Sequence, residues 1–192
     1  LQSMIFFIGA EMTRPYNRKV TLNEHLDRLN QNARANEADI SSLRRRMAEK
    51  FKDCGYPKAA KRDDLITEYI HMIFETQNYR CTHWLRVGKD ELNGLWNRPH
   101  AGYRGWKASR VLYEIDHVHP RNAGGTDELT NFQFLCANAN QFTKCSLTYD
   151  DLLRRVDLSD RLKRRIRTVL KRRRKLFSSD EWAQFMSKVK AA

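Results

Sequence analysis

Residues 113–144 decide the fold: Tyr113-Glu-Ile-Asp-His-Val-His-Pro-Arg-Asn-Ala-Gly-Gly-Thr-Asp-Glu-Leu-Thr-Asn-Phe-Gln-Phe-Leu-Cys-Ala-Asn-Ala-Asn-Gln-Phe-Thr-Lys144. β-branched and aromatic residues predict short strands at 111–115 and 132–136. Pro120 and the Gly124-Gly125 pair mark a turn-rich loop between them. A short helix is predicted over 139–145. The segment therefore reads strand, loop, strand, helix. Its polar skeleton is Asp116-His117, then thirteen residues, Asn131, then eight residues, Asn140, and finally Lys144.

This skeleton suits phosphodiester hydrolysis at one metal ion. A hard divalent cation such as Mg²⁺ takes oxygen ligands and keeps several waters. Asp116 offers a carboxylate and Asn140 an amide oxygen, which leaves coordination positions for phosphate and water. Adjacent strand residues face opposite ways, so His117 points away from Asp116 and is placed to act as general base.

The segment resembles the HNH endonucleases, the ββα-metal or His-Me finger nucleases, in the variant whose last signature residue is Asn. Asp116-His117, the Gly-Gly loop, Asn131, Leu135-Cys136 and the Asn140-x-x-x-Lys144 pattern follow the family order, with a spacing similar to the HNH domain of RNA-guided CRISPR nucleases. The resemblance spans less than a fifth of the chain. It implies a DNA endonuclease in which His117 activates water, Asp116 and Asn140 hold one Mg²⁺ or Mn²⁺, and Asn131 pins the loop that orients His117. Lys144 is either a phosphate contact or a structural residue. His119 either assists the site from behind His117 or is an ordinary surface histidine.

Many family members staple this unit with zinc through two Cys-x-x-Cys pairs. Here the partners of Cys81 and Cys136 in that pattern are Trp84 and Ala139, so a structural zinc is not expected. A small buried cysteine cluster is the simpler expectation. Four scattered cysteines, Cys54, Cys81, Cys136 and Cys145, make no disulfide framework and point to a reducing compartment.

Outward from this unit the pattern is helical. Upstream, Thr21 with Glu24 resembles a capping box ahead of Leu22, Leu26 and Leu29. Ile40, Leu43, Met47 and Phe51 predict a helix over 37–54, stopped by Gly55, and a third helix opens near Asp63 or Asp64. Downstream, Thr148, Ser159 and Ser179 are predicted N-caps of three helices. The expected fold is α+β: a mainly helical chain with a small ββα-metal unit between N-terminal and C-terminal helices. The organisation reads as 1–78 helical, 79–147 the nuclease region with a Gly/Trp/Arg-rich loop, and 148–192 basic helices.

The chain has 192 residues and a net charge of +13. Residues 151–192 carry 14 basic and 5 acidic side chains, most of the excess. Concentrated positive charge suits a polyanion, because each neutralised phosphate releases counterions. Arg164, Arg165, Arg172, Arg173 and Arg174 in the tail, Arg104 and Lys107 in the aromatic loop, and Lys144 are the candidate nucleic-acid contacts, with double-stranded DNA as the expected partner. One site cuts one strand, so a double-strand break requires a homodimer, a partner protein or successive nicks. Restriction or phage defence is the expected role. The competing readings are a nucleic-acid-binding protein without catalysis and a nuclease subunit of a larger complex. No apolar run reaches bilayer length, and residues 4–8 lack the flanks of a signal peptide, so a cytoplasmic protein is expected.

Overall fold

The computed structural model describes residues 34–83, 113–136 and 139–192, without the side chains of 141–143. The expected capping box at Thr21, the Gly/Trp/Arg loop, Arg104 and Lys107 lie outside the described residues.

Helix α1 (Glu37–Asp53) begins at a reciprocal cap: Asn36 Oδ1 accepts from the Asp39 amide at 3.2 Å, and Asp39 Oδ2 accepts from the Asn36 amide at 3.0 Å. Its spaced apolar residues, Ile40, Leu43, Met47 and Phe51, are buried, as their periodicity predicts. The helix ends where Gly55 takes φ +86°, a left-handed conformation that costs glycine little. Helix α2 (Asp63–Thr76) carries two carboxylates in its first turn, where they complement the helix dipole. Strands β1 (Tyr113–His117) and β2 (Phe132–Cys136) form an antiparallel pair in which Asp116 opposes Gln133 and His117 opposes Phe132. A π-helical segment, Ala139–Lys144, follows and is closed by the Cys145 amide donating to Asn140 O at 2.7 Å. Helices α3 (Tyr149–Arg154), α4 (Asp160–Phe177) and α5 (Asp180–Ala191) complete the chain, capped by Thr148, Ser159 and Ser179 as expected. The described residues form an α+β fold, mostly helical around one two-stranded sheet.

A hydrophobic core joins the sheet to helices α1, α2 and α5. Phe74 of α2 packs on Phe134 and Tyr113, with ring centroids 4.6 and 5.0 Å away. Tyr69 packs between Phe51 and Phe185 and donates its hydroxyl to Leu129 O at 2.7 Å, tying α2 to the turn that leads into β2. The buried amide of Gln77 pairs with the main chain of Phe134, donating to its carbonyl at 2.6 Å and accepting from its N–H at 3.0 Å. A side chain thus satisfies main-chain groups on the outer edge of β2 as a third strand would, which lets a two-stranded sheet sit in the core.

The interior takes up three of the candidate cations. Arg173 is 3% exposed and donates to Thr130 O at 2.9 Å. It continues the buried stripe of α4, Leu162, Ile166, Val169, at the next helical interval. Arg165 is half-buried and spends its guanidinium on Gln77 O and Cys81 O. Lys144 is wholly buried, with Nζ 3.1 Å from His117 O and 3.7 Å from Asp116 Oδ2. All three cations are engaged by groups of the fold itself. Arg164, Arg172 and Arg174 are exposed. Among the described residues no helix is long and apolar enough to cross a membrane.

Candidate active site

The site is assembled at the end of β1. Strand alternation sends Glu114 and Asp116 to one face and His117 to the other. On the first face, Asp116 Oδ2 accepts from Gln133 Nε2 at 2.9 Å and lies beside the buried ammonium of Lys144. Burial raises the Asp116 pKa, and the Lys144 charge opposes that shift. Lys144 is itself lowered by burial and held up by Asp116. Asn140 is on the same face: its Nδ2 donates to Glu114 Oε2 at 2.8 Å. With the amide nitrogen committed to a carboxylate, Oδ1 is left as the acceptor of this side chain.

On the opposite face the His117 ring lies 4.9 Å from Phe132 and is largely buried. Its Nε2 is 2.8 Å from Asp127 Oδ1, and Arg121 binds the other oxygen of that carboxylate. Burial lowers the His117 pKa, Asp116 opposes the shift and Arg121 adds to it, and the net shift favours the neutral imidazole. α1 contributes Lys50, whose ammonium is 5.9 Å from the Phe132 ring centroid.

Asn131 closes the loop between the strands. Its Oδ1 accepts from the His119 amide at 2.8 Å, and its Nδ2 donates to His119 O at 3.0 Å and Thr126 O at 2.8 Å. Both glycines are required there. Gly124 has φ +90°, and a Cβ on Gly125 would stand 1.8 Å from His119 O. His119 Nε2 is 2.8 Å from Ala123 O, so this ring serves the loop.

Asp116, His117, Asn131 and Asn140 are therefore gathered around one strand end, with Lys144 beneath it. Glu114, Asp127, Arg121 and Gln133 carry no signal in the sequence pattern. Asp127 lies ten residues from the histidine it touches, and only the loop's return brings them together. Cys81 and Cys136 lie together in the core, with the Cys136 amide 3.2 Å from Cys81 Sγ. His83, driven down to about 3 by burial, faces the Tyr149 hydroxyl, whereas Cys145 is exposed. Among the described residues no three His, Cys, Asp or Glu side chains gather as a metal cluster.

A two-stranded sheet with an Asp-His pair at its strand end, a clamped loop and a following helical turn with an Asn forms a ββ-helix unit. Residues 105–141 match the family model described as HNH endonuclease, and the chain carries an HNH unit. No curated protein and no solved structure matches the chain.

HNH nucleases generally use a divalent metal ion, and the residues here fit one. Asp116 supplies an anionic oxygen and Asn140 a neutral one from the same side of β1. A site of only two protein ligands matches the habit of Mg²⁺ of retaining water and substrate oxygens.

Proposed function

We propose that this chain is a metal-dependent endonuclease that hydrolyses phosphodiester bonds in double-stranded DNA, with a restriction or phage-defence role. The observation that carries the reading is the division of labour across β1: oxygen donors on one face and a neutral, anchored imidazole on the other. Asp116 and Asn140 would hold one Mg²⁺ or Mn²⁺, which when bound stabilises negative charge on the scissile phosphate and leaving oxygen. His117 takes the proton of the attacking water. Asn131 keeps the loop closed, so the imidazole does not swing away from its partner. Purified protein is expected to nick supercoiled plasmid DNA with Mg²⁺ or Mn²⁺ and to stop on addition of chelator. DNA binding without nicking under those conditions would instead identify a binding module.

Two measurements divide the labour further. Asp116→Ala and Asn140→Ala are each expected to weaken Mn²⁺ binding about tenfold or more by calorimetry, in line with the usual effects of removing groups around a metal. Unchanged affinity in both variants would place the metal elsewhere.

The exposed cations of α4 support backbone contact by Arg164, Arg172 and Arg174, and Arg104 and Lys107 remain candidates from the aromatic loop. Converting Arg164, Arg172 and Arg174 to Gln is expected to weaken binding to all DNA sequences alike. If all three touch phosphates, the log–log salt dependence falls by about 0.9 for each phosphate no longer neutralised. An unchanged slope would show that this face does not touch phosphates. Double-strand cleavage would require a second copy, a partner protein or a second nick.

A further inference from the structure

The loop between the strands holds a carboxylate that the nuclease reading does not use. Asp127 follows Thr126, whose carbonyl is tied down by Asn131, and its side chain is only 18% exposed. One carboxylate oxygen meets His117 Nε2 at 2.8 Å, and the other binds Arg121. The ring packs on Phe132, and among the described residues its Nδ1 has no hydrogen-bond partner. A carboxylate only accepts, so in the neutral imidazole Nε2 must carry the hydrogen and Nδ1 the lone pair.

We infer that Asp127, braced by Arg121, is the positioning residue for His117 and selects the tautomer whose Nδ1 accepts the proton of the attacking water. This inference rests on the nuclease reading for its chemistry but not for its geometry. In the reaction the water oxygen forms a bond to phosphorus as its proton passes to Nδ1. The bond from phosphorus to the leaving sugar oxygen breaks, and that oxygen takes a proton from solvent. The imidazolium then returns its proton to solvent. Asp127 holds the ring and offsets the transient positive charge.

The isosteric variant Asp127→Asn tests this sharply. The Arg121 guanidinium can only donate, so it draws the amide oxygen and leaves the amide NH₂ facing Nε2. The ring must then accept at Nε2 and carry its hydrogen on Nδ1, which removes the base. Long-range ¹H–¹⁵N correlation spectra of the intact, metal-free chain at about pH 7.5, above the ordinary histidine range, are expected to show His117 protonated at Nε2 in the wild type and at Nδ1 in Asp127→Asn. Single-turnover plasmid nicking with Mg²⁺ is expected to fall about 10²–10⁴-fold, the span attributable to general-base catalysis, with DNA affinity kept or slightly improved. Adding Arg121→Ala to Asp127→Asn frees the amide to turn its oxygen to Nε2. That double variant is expected to recover the wild-type tautomer and part of the rate, which a merely structural role would not produce.

The same His117 tautomer in wild type and Asp127→Asn would overturn the inference, as would an undiminished nicking rate. If wild-type protein fails to nick but the tautomer switches, the nuclease reading fails and the positioning pair stands. If His117→Ala abolishes nicking while Asp127→Asn does not, the reverse holds.

Discussion

Replacing His117 by alanine is expected to lower the single-turnover nicking rate about 10²–10⁴-fold, the contribution typical of a positioned general base, while leaving DNA affinity nearly unchanged. The imidazole is on the face of β1 opposite Asp116, so its loss removes the proton acceptor without removing an oxygen ligand. The pH dependence follows from the same site. Burial lowers the His117 pKa below its ordinary 6.5. The neutral, proton-accepting form is therefore favoured, and the rate is expected to fall as pH drops through the lowered His117 pKa. A rate that rises on acidification would assign His117 the role of an acid.

The second large effect is on stability. Lys144 is wholly buried with its ammonium 3.7 Å from Asp116 Oδ2. Lys144→Met keeps the approximate volume but leaves a largely buried carboxylate without its cation and His117 O without a donor. Removal of one partner from a buried pair costs about 3–5 kcal/mol. Denaturant unfolding at pH 7 is expected to show a loss in that range. The loss should shrink as pH falls, because Asp116, already raised by burial, then becomes protonated and no longer needs a counter-charge. Mg²⁺ should restore part of the stability, since it would neutralise the same carboxylate. A difference below about 1 kcal/mol would mean that Lys144 is a surface-like cation despite its burial.

The helices and β2 were legible because their signals are local. Ile40, Leu43, Met47 and Phe51 mark α1 by their spacing, Thr148 and Ser159 cap as their types require, and the five buried residues of β2, Phe132–Cys136, form a nearly continuous apolar run. β1 runs further toward the loop than its β-branched residues suggest. His117 pairs with Phe132, and that ladder pairing, which no local propensity records, carries the strand through Asp116-His117. The spacing of Asp116, His117, Asn131 and Asn140 singled out the residues now found around one strand end. Their supports were not legible, because Gln133, Glu114 and Asp127 acquire meaning only from strand register and loop return.

Charge was the misleading signal. Counting cations on α4 treats them alike, but Arg173 occupies the position that extends Leu162, Ile166 and Val169 into the core. The helical interval could have exposed it. For Arg165 and Lys144 no local pattern would have served, since their partners, Gln77 O and His117 O, are distant in sequence.

The proposed chemistry brings a bound divalent ion and a neutral histidine together at one strand end for phosphodiester hydrolysis. Its most direct test is single-turnover nicking of supercoiled plasmid by wild-type, Asp116→Ala and His117→Ala proteins across a Mg²⁺ titration. Wild-type nicking should saturate with Mg²⁺. Asp116→Ala should require far more metal, and His117→Ala should keep the wild-type metal dependence at a rate about 10²-fold or more lower. Nicking that proceeds at the wild-type rate in both variants, or without any divalent ion, would contradict the account.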